Sequence, residues 1–501
     1  MLAGTAHAAE PAALFAEHCA ACHGADRMGA MGPALFAENL ERLKKVDAIK
    51  TITDGRVATQ MPAFAGKLKP EEIAAVADWI YQPVSPAPSW NDAAIRASRI
   101  QVTDPATLSP KPVFKADPLN LFVVVEGGDH HVSVLDGDKL EPIFRFASRY
   151  ALHGGPKFTA DGRYVFFASR DGWISKFDLW NLKMVAEVRA GINTRNAAVS
   201  DDGRYVIAAN YLPRNLVIFD GELNLVKTLD ARSLDGKLLS RVSAVYDAAP
   251  RHSFVAAMKD MPELWEISYD PAAKPIYDGY VHDYKMGEAI ALPGFLNPRR
   301  TPLEDVFDDF FFDQSYSAVM GASRDGKGQV VNLDVRRKIA ELALPGMPHL
   351  GSGITWQWQG RTVMASTNLK QGAVTVIDMK TWQPVKTIPT LGPGFFLRSH
   401  EQSRYAFVDS MMSKDKDTLQ VIDKQSLEVV KALRPVPGKT LAHVEFTRDG
   451  RYALASLWEM DGALIVYDAQ TLEEVKRLPM VKPVGKYNVW NKINRSEGTS
   501  H

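Results

Sequence analysis

Beyond residue 117 the chain shows short apolar runs broken by turn residues, and the pattern repeats. The segment "DGRYVFFASRDGWISKFDLWNLKMVAEVRAG" begins at 161 and "DDGRYVIAANYLPRNLVIFDGELNLVKTLDA" at 201. Two further copies, "QGRTVMASTNLKQGAVTVIDMKTWQPVKTIP" and "DGRYALASLWEMDGALIVYDAQTLEEVKRLP", begin at 359 and 449. Each reads as a turn, an apolar strand, a Gly-containing loop, an alternating strand ending in Asp, and a third strand with Val and Lys. Weaker copies begin near 117, 251, 317 and 403. Successive starts lie 40 to 50 residues apart, except for one gap of 66. Repeats of about 40–45 residues built from short strands are those of propeller blades. The pattern predicts an all-β, eight-bladed propeller over 117–501, with seven blades as the alternative because the copy near 251 is diverged. The long gap holds "GEAIALPGFLNPRRTPLEDVFDDFFFDQ", which reads as an insertion reaching one face.

The first part of the chain has a different period. Ile73, Val76, Ala77 and Ile80 recur at helical spacing behind Pro70-Glu71-Glu72, good first-turn residues. A small all-α domain is expected over 10–82. The proline-rich stretches "QPVSPAPSW" and "TLSPKPVFKADP" predict an irregular linker over 83–116.

With 501 residues the chain exceeds what one core usually fills, in keeping with two domains. Lys+Arg and Asp+Glu are 59 each, so no general charge footprint for nucleic acid exists. No run of about 18 apolar residues occurs, and no membrane span is expected. Residues 1–9, with the small-x-small pattern Ala6-His7-Ala8, read as the end of a signal peptide; an Ala-rich irregular terminus is the alternative.

The only two cysteines of the chain stand in "EHCAACHGADRMG". Cys19 and Cys22 at this spacing, followed by His23, match the attachment pattern for a covalent haem c, with His23 as proximal ligand. A thiol–disulfide site would want a βαβ context and needs no histidine. A structural zinc would need further ligands of suitable spacing. Met61, in "ATQMPAFAGKL" ahead of the amphipathic stretch, is the expected second axial ligand; Met28 and Met31 are nearer but sit in a Gly-rich loop. Haem c attachment takes place outside the cytoplasm, which agrees with export to the periplasm.

Four propeller histidines, His153, His349, His400 and His443, share one phase of the repeat, just ahead of a blade's first apolar run. Such starts point toward the propeller axis, so several imidazoles could converge there. Arg170, Arg195, Arg241 and Arg398 occupy similar loop positions, and Tyr211 is counted with them. Guanidinium groups around a channel suit a polycarboxylate ligand.

A cytochrome c unit followed by an eight-bladed propeller resembles the cytochrome cd1 nitrite reductase family over nearly the whole chain. "LHGGPKFTADGRYVFFASRDGWISKFDLW" is similar to the family segment carrying the proximal histidine of haem d1, which implies that role for His153. "AGINTRNAAVS" resembles the segment of a carboxylate-binding arginine, here Arg195, and "PVGKYNVWNK" resembles the closing strand. Two distal histidines handle nitrite in the reductases. His349 matches one; the other falls in "FFFDQSY", where the alignment puts Phe312 before Asp313. The loss of one proton donor makes the chain look like the paralogous dihydro-haem d1 dehydrogenases of haem d1 biosynthesis.

That resemblance implies a noncovalent dihydro-haem d1 substrate, oxidation of a propionate side chain to an acrylate, electron flow to haem c, and an external redox acceptor. His443 and Tyr487 are the candidates for proton removal, with His349 a distal iron ligand or third proton handler. Two other readings stay open: nitrite reduction, and a haem d1 carrier that hands the cofactor to a nitrite reductase.

Overall fold

The computed structural model describes residues 10–494 apart from 41–42, 57–59, 87, 278–290 and 345. The expectation for residues 1–9 lies outside the described residues. Helices Pro11–His18, Lys45–Asp54 and Pro70–Ile80 form the N-terminal unit. Pro70 occupies the first turn, and the backbone N–H of Lys69 donates to Glu72 Oε2 at 2.8 Å, so the helix start is capped. Its apolar face buries Ile73, Val76, Ala77 and Ile80 against Leu14, Phe15 and Ile52. A large aliphatic side chain buried in this way contributes about 1.5–3 kcal/mol.

The remainder forms eight antiparallel sheets arranged as propeller blades, seven of four strands and one of five. The repeat starts seen in the sequence mark the second strand of each blade: Leu121–Glu126, Tyr164–Ala168, Tyr205–Leu212, Ser253–Met258, Ala318–Ala322, Arg361–Thr367, Tyr405–Asp409 and Tyr452–Leu457. The innermost strand precedes each of them. In blade one it comes from the far end of the chain: Pro483–Asn488 pairs with Leu121–Glu126, Tyr487 opposite Val123. The ring is thereby closed by hydrogen bonds between its last and first strands.

Two expectations need correction. The 83–116 segment is not irregular: Asn91 caps a helix over Asp92–Ser98, its side chain accepting from the Ala94 N–H, and Ile100–Gln101 adds a fifth strand to blade two opposite Ala186 and Glu187. The prolines confine regular structure there to short pieces and do not abolish it. The stretch 287–314 is only partly an insertion. Pro298–Pro302 is the outer strand of blade four and Asp309–Phe312 the inner strand of blade five. The excess length lies between Ser268 and Pro298, partly outside the described residues.

The N-terminal unit rests on blades two and three. Ala34 and Phe36 pack with Ile192, Leu212 and Met28. Arg189 Nη2 donates to the Met28 carbonyl at 3.1 Å, and its guanidinium lies 4.8 Å from the centre of the Trp90 ring. No helix among the described residues is long and apolar enough to cross a membrane.

Candidate functional site

Two sites follow from this arrangement. In the first, Cys19 is the residue between helix Pro11–His18 and the short helix Ala20–His23, which carries Cys22 and His23. Burial, and Cys22 beside it, push the Cys19 thiol up to about 11. His23 Nδ1 bonds the Pro33 carbonyl at 2.8 Å. That bond assigns the proton to Nδ1 and leaves Nε2 unprotonated, as an iron ligand requires. Burial also holds the imidazole neutral, its pKa lowered. Gly32 lies flat against the ring; a Cβ there would come within 2.7 Å of it. Met61 is half-buried on the same core as Cys19. Met31 sits at Cys22, sulfur to sulfur 3.9 Å, and Met28 is at the propeller interface. Two thiols, an imidazole with a free Nε2 and a thioether on one core fit a c-type haem.

The second site is the channel of the propeller. Contacts run around it from blade to blade. His153, ahead of blade two, donates from Nδ1 to the Arg195 carbonyl of blade three at 2.7 Å. Asn196 reaches the Val245 carbonyl of blade four at 3.0 Å. Tyr246 donates to Asp309 of blade five at 2.8 Å, and Asp309 accepts from Gly351 N at 3.0 Å, two residues after His349 of blade six. His349 donates from Nδ1 to the Phe395 carbonyl at 2.7 Å. Phe396 of blade seven packs at 4.7 Å, tilted, against His443 of blade eight, whose ring lies 5.2 Å from Tyr487 on the closing strand. Tyr487 returns to Gly155, where an added Cβ would lie 3.1 Å from its ring.

Local backbone devices aim these side chains. Gly154 and Gly155 both have positive φ, 82° and 70°. A Cβ on Gly154 would strike Asn196 at 2.6 Å, so glycine there permits the turn after His153. Arg195 and His443 each occupy a β-bulge, where the pairing skips one residue. A bulge turns a side chain out of the blade-to-blade packing. At His443 the backbone is left-handed as well, φ 51°, a conformation costly for a non-glycine residue.

His153 and His349 have the same tautomer, Nδ1–H on a carbonyl and Nε2 unprotonated. Arg195 Nη1 donates to His153 Nε2 at 2.7 Å. Burial, Arg195 and Arg170 hold His153 well below its usual pKa; burial lowers His349, with Asp309 opposing. Arg170, Arg241 and Lys259 surround the Tyr211 ring at 5.5, 5.6 and 5.6 Å. Arg241 holds Asp260 in a bidentate pair, 2.9 and 2.7 Å, and Lys259 is paired with Asp308. Arg398 is buried too, Nη2 3.4 Å from Glu445 Oε2.

The sequence reading of this site needs three changes. His400 is not in the channel: it is fully buried, its Nδ1 accepts from Gln402 N at 3.1 Å, and it packs on Phe446. Phe312 does not face the axis either. It packs between blades with Phe310 at 5.4 Å and Tyr316 at 4.7 Å, while Asp309, at the strand start, meets the channel. The missed residue is Lys157, four beyond His153. Its Nζ lies 5.5 Å from the centre of the Tyr246 ring, and burial brings its pKa down to about 8, with Asp309 opposing.

Comparison with known proteins identifies the family. The cytochrome D1 heme domain model matches residues 116–492, and that of cytochrome C oxidase, cbb3-type, subunit III matches 6–80. The chain is 54% identical to the dihydro-heme d1 dehydrogenase of Pseudomonas aeruginosa, covering 98% of this chain and 95% of that one. It is 25% identical to the nitrite reductase of Stutzerimonas stutzeri, over 96% and 92% of the two chains. A solved structure, dihydro-heme d1 dehydrogenase NirN in complex with DHE, superposes with TM-score 0.83 at 54% identity, covering 97% of this chain and 100% of that one. Matched over nearly its whole length by such a relative and over its propeller by the family model, the chain belongs to the cytochrome D1 heme domain family, with a cytochrome c domain ahead of the propeller.

Proposed function

We propose that this protein is a dihydro-haem d1 dehydrogenase. The observation that carries the reading is the full-length likeness at 54% identity to an enzyme of that name, joined to a channel lined with imidazoles and cations. The reaction takes two hydrogens from a propionate arm: –CH2–CH2–COO⁻ becomes –CH=CH–COO⁻, releasing two protons and two electrons. Cys19 and Cys22 would tether haem c, which would supply a one-electron relay to an external oxidised electron carrier that takes both electrons in turn. His153 Nε2 holds the substrate iron, and Arg195 swings off that nitrogen. Arg170, Arg195, Arg241, Arg398 and Tyr211 orient the substrate carboxylates. His443, neutral at physiological pH, is the base. Tyr487, whose phenol burial pushes up to about 12, stays protonated and orients the carboxylate of the reacting arm. His349 faces the other side of the substrate as distal ligand or proton handler. A periplasmic location belongs to this reading, supported by the haem c attachment motif.

Incubation of the holoprotein with dihydro-haem d1 and an oxidised carrier tests this. The extracted tetrapyrrole is expected to lose two hydrogens by mass, and nitrite turnover with reconstituted haem d1 is expected to be poor. On blade five the groups near the channel are Asp309, bonded to Tyr246, and Asp308, paired with Lys259, carboxylates rather than imidazoles. Asp308 is held down to about 2: burial opposes, but Lys259 and Arg324 prevail, so it has no proton to give. An unchanged mass with brisk nitrite reduction returns the protein to the reductases.

At the other site, Met61→Ala is expected to remove the methionine–iron charge-transfer band and lower the haem c potential, while the haem stays covalently attached. Survival of that band moves the assignment to Met28 or Met31.

A further inference from the structure

His443 differs from the other two channel histidines in what its Nδ1 meets. His153 and His349 each place Nδ1 on a backbone carbonyl. His443 places it 3.5 Å from the Nζ of Lys486, the residue before Tyr487 on the closing strand. The same Nζ donates to the His443 carbonyl and to Ser456 Oγ at 2.9 Å. Lys486 is fully buried. It therefore grips the left-handed bulge that presents His443 and meets the ring from behind.

We propose that Lys486 is the positioning residue of the base: it clamps the bulge at His443 and takes from Nδ1 the proton that Nε2 receives from the substrate. The inference rests on His443 as base. The transfer balances. A carbon–hydrogen bond breaks, its electron pair enters the oxidation already described, and its proton goes to Nε2. The Nδ1 proton passes to the Lys486 amine. Histidine ends neutral with its tautomer exchanged, and lysine ends as the ammonium.

The electrostatics allow it. Burial takes Lys486 well below the ordinary lysine range, with Glu445 opposing and Arg398 adding to the drop. Burial, then Lys486, Arg398 and Lys492, do the same to His443. The charged and titratable groups facing the pair are Glu445 on the His443 strand, Arg398 on blade seven, Tyr487 on the closing strand and Lys492 on the helix Val489–Asn494. A weakly basic imidazole releases the proton back to carbon unless a second acceptor removes it, and a neutral buried amine is such an acceptor.

Single-turnover conversion of bound dihydro-haem d1 in the full holoprotein tests the inference, with Lys486→Met, Lys486→Arg and His443→Ala compared after each is shown to bind substrate. Lys486→Met is expected to slow conversion about 100-fold, the usual weight of a proton-transfer group. Lys486→Arg keeps a donor for the carbonyl but cannot lose its proton, so it is expected to be nearly as slow. The wild-type rate should rise with pH as Lys486 becomes neutral, and both variants should lose that limb. A wild-type rate in Lys486→Arg, or an unchanged pH profile in either variant, overturns the relay. If Lys486→Met does not fold, the arginine variant decides alone. Wild-type conversion by His443→Ala instead removes the base assignment beneath it, an outcome distinct from the others.

Discussion

Replacing His443 with alanine is expected to leave dihydro-haem d1 bound and its conversion slowed by about 10²–10⁴-fold, the range for a positioned general base. Binding survives because the cations and His153 lie on other blades. Chemistry fails because no other channel imidazole is placed as His443 is: on a left-handed bulge, 5.2 Å from Tyr487 and backed by Lys486. A carbon acid next to a carboxylate-bearing carbon is a poor proton donor at neutral pH, so position carries much of the barrier. Tyr487→Phe keeps the ring that packs on His443 and Gly155 and loses only the hydroxyl, so a milder loss is expected. Mass analysis of extracted tetrapyrrole over time reads both. Wild-type conversion by His443→Ala would move the base elsewhere, with His349 next to test.

His153→Ala is expected to abolish stable binding of the d1 macrocycle while leaving haem c untouched. The imidazole is set in advance: Nδ1 is committed to the Arg195 carbonyl, the ring is neutral, and the left-handed turn at Gly154 and Gly155 fixes the loop that carries it. Without it the arginines still attract carboxylates but nothing holds the iron. The measurement is the d1 absorption that co-elutes with the protein on gel filtration, read beside the haem c band. Undiminished d1 absorption in the variant would assign the iron to His349.

The haem c motif and the blade count were readable because each is a local signal, a fixed spacing in one case and a repeated turn-and-strand pattern in the other. The channel was readable only in part. His153, His349 and His443 share a phase of the repeat, and the ring brings them together; His400 shares it too, but a turn folds its side chain inward against Phe446. The innermost strands are the weak point. Two of them, Lys157–Phe158 and Leu397–Arg398, are two residues long and have no period to detect. That is why Lys157 went unseen. A buried lysine in a strand looks in sequence like any exposed one.

The seam between Pro483–Asn488 and Leu121–Glu126 also has a consequence in time. A chain made from its N-terminus acquires His153, the channel arginines and seven blades well before it acquires Lys486 and Tyr487. The strand that shuts the ring is the strand that delivers them, so catalytic competence and topological completion arrive as one event. An interrupted or unsealed propeller can meet the tetrapyrrole but lacks the residues that back and flank the base, and the reactive step is withheld until the whole molecule is in place.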